Sequence, residues 1–169
     1  MPENATIAER IERRIVSIAE GISGVAKVTR WTPLSDISDG DEPYQHLQIV
    51  VFPVGDTIRN NTEGVVGCDE HEKTVQIVTL ILPSEAGGSV AAATLRTRWI
   101  GKVISTFSAL DGRLTETGGT NLTVDLTCEE ENEVQFADGM LNAAVTLRII
   151  YRTSRNDPFS YDTLITAQA

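Results

Sequence analysis

The sequence predicts an α+β fold: a mostly antiparallel sheet of about five strands with two long helices packed on it, in the order α-β-β-β-α-β-β. Three observations predict it. Two segments repeat their apolar residues at helical spacing, and the strand-like runs cluster between and after them instead of alternating regularly with helices. The glycine-rich strand-to-helix turn of a parallel nucleotide-binding unit is missing. At 169 residues, with 41% apolar and 22% charged, the chain has the size and composition of one globular domain spanning 1–169, with a C-terminal extension from about residue 153.

The first helix is announced by Thr6 followed by Glu9, a capping-box pair, and by the stripe Ile7, Ile11, Ile15, Ile18 and Ile22. Its other side carries Glu9, Arg10, Glu12, Arg13 and Arg14 and reads as a solvated face, with Gly21 and Gly24 as stop signals. Val25 to Trp31 reads as a weak strand, and Asp36 to Glu42 as an exposed acidic loop without the spacing of an EF-hand. Leu47 to Phe52, ended by Pro53, and Val75 to Leu82, ended by Pro83, are nearly unbroken apolar runs, which predicts strands covered on both faces. Between them Gly55 to Lys73 reads as a polar excursion too long for a plain hairpin.

From Ser89 the helical period returns, with Leu95, Trp99, Val103, Phe107 and Leu110 on one face, widened by Ile100 and Ile104 and closed by Asp111-Gly112. Gly87-Gly88-Ser89 ahead of it reads as a turn and N-cap. Asn121 to Glu129 alternates Leu122, Val124, Leu126 and Cys128 against Thr123, Asp125, Thr127 and Glu129, the pattern of a half-buried strand. Val145, Leu147, Ile149 and Tyr151 alternate likewise in the last strand, and Thr153 to Ala169, with Asp157-Pro158 inside it, reads as a tail that needs a neighbour to hold it.

A net charge of −10 repels phosphate and excludes a sequence-specific nucleic-acid binder. Two cysteines do not make a disulfide framework; with no signal-peptide pattern and no membrane-length apolar run, the expectation is a reducing cytoplasm and no membrane partner. Chemistry-bearing patterns are sparse. Cys68-x-x-His71 has metal-ligand spacing, and His46, Cys128 or nearby carboxylates would have to complete the set; the same cysteine beside either histidine could form a nucleophilic pair. Both compete with a plain polar loop and, for Cys128, with a thiol acting as a small core hydrophobe. The expectation is no catalytic residue, no cofactor and no metal. Glu129 to Glu133 reads as a solvated acidic turn, or as the lining of an aperture in an assembly; Arg148, Arg152 and Arg155, with Arg10, Arg13 and Arg14, offer cations that could meet those acids on another subunit.

In its order of elements the chain resembles the phage tail-terminator and minor-tail-protein family, the small proteins that complete a finished tail tube. The resemblance rests on the amphipathic helix Ile7 to Ile22 running into Ser23-Gly24-Val25 and a strand ending at Trp31, on two strands flanking a long polar segment before the second helix, and on the ending Ile149-Ile150-Tyr151-Arg152-Thr153-Ser154-Arg155-Asn156-Asp157-Pro158-Phe159. It implies a subunit without catalysis, commonly one of a hexameric ring, that caps the tail tube, touches head-completion or neck proteins, and lets DNA pass through its lumen without specific binding. The same layout suits a neck connector or baseplate adaptor, and the alternative from another class is a small metal-dependent or ligand-binding enzyme using Cys68 and His71. Localisation in the virion, after assembly in the host cytoplasm, follows from the resemblance. Candidate interface residues are Arg59, Asn60, Asn61 and His71 in the polar excursion and Arg152, Arg155, Asp157, Phe159 and Tyr161 near the end, with Tyr151 as a further aromatic; Glu129, Glu130, Glu131 and Glu133 are the candidate acidic lumen.

Overall fold

A computed structural model describes residues 5–31, 45–59, 68–130, 139–154 and 157–161. It is an α+β fold, one mostly antiparallel sheet with helices against it. Helix α1 (Ile7–Glu20) begins at the expected capping box: the Thr6 hydroxyl accepts from the Glu9 amide at 3.2 Å, and the Thr6 amide donates to Glu9 Oε2 at 2.8 Å. That backbone bond holds the Glu9 carboxyl below the usual carboxylate range. The buried stripe is Ile7, Ile11, Ile15 and Ala19.

The sheet runs β1 (Lys27–Arg30), β2 (Gln48–Arg59), β3 (Cys68–Ile81), β5 (Leu141–Ser154), β4 (Asp125–Glu130) in space, with β6 (Asp157–Tyr161) paired to the end of β5. Only β1 and β2 run parallel. A short helix α2 (Pro83–Ala86) precedes α3 (Ser89–Ser108), and the two meet at Gly87 and Gly88, whose φ of 93° and 108° favour glycine. Gly88, not Ser89, is the N-cap of α3.

Three expectations change. Gly55 to Lys73 is not one long excursion: β2 continues past Pro53 to Arg59 and β3 starts at Cys68, so the two strands form an antiparallel arm whose connecting residues 60–67 lie outside the described residues. Pro53 cannot donate to the ladder, and the chain absorbs this with a register shift between Pro53 and Gly55 instead of ending the strand. The segment expected as a tail contains β6, which forms a hairpin with β5 in which Ser154 pairs with Asp157. The strand expected from Asn121 begins at Asp125, because Thr123 turns inward, its hydroxyl donating to the Gly112 carbonyl and accepting from the Leu114 amide, both at 3.0 Å.

The burial pattern also corrects the expectation of two covered faces. Val75, Ile77 and Ile81 of β3 pair with Leu147, Val145 and Leu141 of β5, and all six are buried with Ile49 and Val51 of β2 beneath α1 and α3. Residues of opposite parity are mostly half-buried, as at Val50, Phe52, Thr74, Gln76, Val78 and Ile150, with Gln48, Leu80 and Thr146 buried among them. Among the described residues both long helices lie on one side, as an antiparallel sheet permits. The runs at Leu47 and Val75 read as nearly unbroken because the open face also carries Val50, Phe52, Val78 and Leu80, β-branched, aromatic or aliphatic residues that suit a pleated surface whether or not it is covered.

Candidate assembly surfaces

The arm formed by β2 and β3 has two unlike faces. On the helix-free face Arg59 Nε lies 2.9 Å from Glu72 and its Nη1 3.8 Å from Glu70, while Arg152 of β5 grips Glu70 through Nε at 3.1 Å and Nη2 at 3.0 Å. Arg148 adds looser pairs at 3.9 Å to Glu72 and to Glu129 of β4. Three cations and three anions thus form a lattice across four strands, its members mostly half-exposed and each pair weak on its own. Arg59 and Arg152, candidates from two separate segments, stand together on a face whose named charges cancel.

On the helix-facing side the pleat brings together a group that sequence reasoning missed. Lys73 Nζ sits 2.7 Å from Glu12 Oε1 of α1 and 3.8 Å from Asp56 Oδ2 of β2; both Lys73 and Glu12 are only 4% exposed. Arg30 of β1 closes on Glu12 Oε2 as an ion pair without an aligned hydrogen bond. Tyr151 donates to Asp56 at 2.6 Å, and His71 stacks on Tyr151 with ring centres 4.7 Å apart while its Nε2 lies 3.1 Å from the Thr153 hydroxyl. Glu12 is therefore not on a solvated face, and Lys73 is not in a loop. The signal for Lys73 was its parity with Val75, Ile77 and Ile81; for Glu12 it was its position between Ile11 and Ile15 on the flank of the buried stripe.

Burial, with Asp56 beside it, pushes the Tyr151 phenol above its ordinary value near 10. The folded value being the higher, the stability it confers is fully present below about pH 10 and is lost as pH rises further, because the unfolded chain releases the proton first. Tyr151→Phe is expected to flatten the alkaline limb of a plot of unfolding free energy against pH between about 9.5 and 11.5, by up to about 1.4 kcal/mol per pH unit at its steepest. Identical alkaline slopes for the two proteins would show that this phenol is not held protonated.

Cys68 and His71 do not converge. Three residues apart in a strand, they point to opposite faces: Cys68 lies on the helix-free side paired with Ser154, and His71 on the helix side paired with Tyr151. His46 is bound elsewhere, its Nδ1 accepting from the Leu82 amide at 3.0 Å, at the other end of β3 and roughly 35 Å from His71 at the rise of an extended chain. Cys128 is half-buried and hydrogen-bonded with Ser108, and desolvation raises its thiol. Among the described residues no group of three or more His, Cys, Asp or Glu is placed to hold a metal ion.

Of the other candidates, Phe159 of β6 is 49% exposed, Asp157 and Tyr161 pair through their backbones with β5, and Tyr151 is core. Glu129 and Glu130 belong to β4 instead of a turn. Asn60, Asn61, Arg155, Glu131 and Glu133 lie outside the described residues. No helix of the described residues is long and apolar enough to cross a membrane. Comparison of the chain with models of known protein families, and with curated proteins, finds no match.

Proposed function

We propose that this chain is a structural virion subunit, a tail-terminator or tail-completion protein that acts without catalysis as one member of an oligomeric, hexameric ring capping the tail tube and joining it to head-completion or neck proteins. The observation that carries this reading is the single-sided cover of the sheet. Among the described residues both long helices pack on one face, which leaves the opposite face, an ion-paired arm and two outer strands as surfaces able to meet other proteins. Such a surface suits matching to other protein surfaces better than enclosing a small molecule. The overall charge of −10 adds support, since a polyanion passing through a ring of such subunits is not gripped by it.

The test combines light scattering with negative-stain imaging of the purified protein, alone and with tail-tube subunits. A ring of fixed stoichiometry that stops tube growth is the expected result. A ring seated at the neck away from the tube end would move the chain to the connector reading, and a turnover abolished by one side-chain substitution would end the structural reading altogether.

A further inference from the structure

The two outermost strands of the sheet carry opposite charge. β1 contributes Lys27, beside an Arg30 held by Glu12, β4 contributes Asp125 and Glu129, the latter loosely paired with Arg148, and among the described residues each strand is paired on one side only, β1 with β2 and β4 with β5. Edge strands present alternate N–H and C=O groups outward, which makes them templates for another strand. We propose that β1 of one copy pairs with β4 of the next, so that the sheet continues from subunit to subunit. This rests on the ring reading and names its interface.

Strand directions fit. β1 and β2 run the same way, and the steps from β2 to β3, β3 to β5 and β5 to β4 each reverse direction, so β4 is antiparallel to β1. Two copies side by side in the same orientation therefore meet as an antiparallel pair, the commoner and slightly stronger ladder. The pleat then fixes the register. Lys27 and Thr29 pair with Gln48 and Val50 on the helix-free face, and Asp125, Thr127 and Glu129 lie on that same face through Ile150, Arg148 and Thr146. A shift of one residue would put each side chain on the wrong face. The one same-face register that keeps all of β1 within β4 sets Lys27 opposite Glu129, Val28 opposite Cys128, Thr29 opposite Thr127 and Arg30 opposite Leu126.

Charge also selects against the alternatives. A two-fold dimer through β4 alone, kept to the same face, would set Asp125 opposite Glu129 twice over, and like charges directly opposite destabilise a strand pair, while one through β1 alone would bring no opposite charges together. Only the unlike edges attract, which makes the contact head-to-tail, the kind that closes into a ring when the rotation per subunit divides the circle. A cleft of about 440 Å³ between the end of α3 and β4 is lined by four consecutive strand residues, Asp125 to Cys128, together with Ser108, Asp111 and Gly112.

The experiment uses full-length protein carrying Cys68→Ser and Cys128→Ser, with new cysteines at Thr29→Cys, Thr127→Cys or both, oxidised with copper phenanthroline and run on non-reducing gels beside light scattering of the wild type. Expected are no cross-link from either single variant alone, a dimer when the two are mixed, and a ladder beyond the dimer from the double variant. Lys27→Glu should raise the concentration for half-assembly on the order of tenfold, and adding Glu129→Lys should restore it. Circular dichroism and melting temperature close to wild type show that each variant is folded. Homodimers from a single variant, or a wild-type ring without a ladder, would overturn the edge assignment while leaving the ring reading in place. A chain that stays monomeric by scattering, with and without tail-tube subunits, and gives no ladder would overturn both.

Discussion

Lys73→Ala is expected to destabilise the fold by about 3–5 kcal/mol, more than a lost ion pair on the surface would, because it leaves a charge behind in a place water does not reach. Glu12 is as buried as Lys73, and its Oε1 depends on the ammonium 2.7 Å away. Arg30 is partly solvated and approaches only the other oxygen. The same reasoning gives the double variant the opposite expectation. Lys73→Met with Glu12→Leu removes both desolvation costs and keeps the volume, so it should return to within about 1–2 kcal/mol of wild type or exceed it. Urea unfolding of wild type, Lys73→Met, Glu12→Leu and the double variant, with unchanged m-values, isolates the coupling between the two sites. A Lys73→Ala loss below about 1 kcal/mol would show that water reaches Glu12 after all.

This pair also shows which parts of the fold are legible in the chain. The capping box at Thr6, the apolar stripes of α1 and α3 and the alternation of β5 are local patterns, repeated at a spacing that backbone geometry dictates; they appear at Ile7, Ile11 and Ile15, at Trp99, Val103 and Phe107, and along β5, while Ile22 and Leu110 fall past the helix ends. The α+β class follows from their order. The arm is different: Gly55 to Arg59 and Cys68 to Lys73 are polar, and nothing within either segment distinguishes a strand from a loop. They are strands because each is the other's partner in a ladder continuing one begun by apolar residues, a non-local cause. The segment with Asp157-Pro158 is read as a tail for the same reason, although Pro158 stands in an edge strand, where a missing N–H is tolerated. The candidate assembly surface is legible only in part. Arg59 and Arg152 do stand together, whereas His71, three residues from Cys68, is carried to the other face by the pleat. Opposite charges on the two edges become visible only once strand order is known, since β1 and β4 are far apart in sequence.

Phe107→Ala should cost about 3–5 kcal/mol and lower the melting temperature by roughly 10 °C. Phe107 is fully buried in the last turn of α3, so truncation removes a ring's worth of transfer free energy and leaves a cavity that a helix anchored by Trp99 and Val103 cannot close by collapsing. Val90→Ala, at the exposed first turn of the same helix, should change stability by no more than about 0.5 kcal/mol and serves as its control. The consequence reaches the sheet edge. The next residue, Ser108, hydrogen-bonds with Cys128, and this end of α3 packs against β4. Loosening it loosens the strand that offers its edge to the next subunit. If the edges pair, Phe107→Ala at a temperature where the monomer is still folded should weaken assembly well beyond Val90→Ala, whereas an interface elsewhere on the sheet would leave the two variants assembling alike.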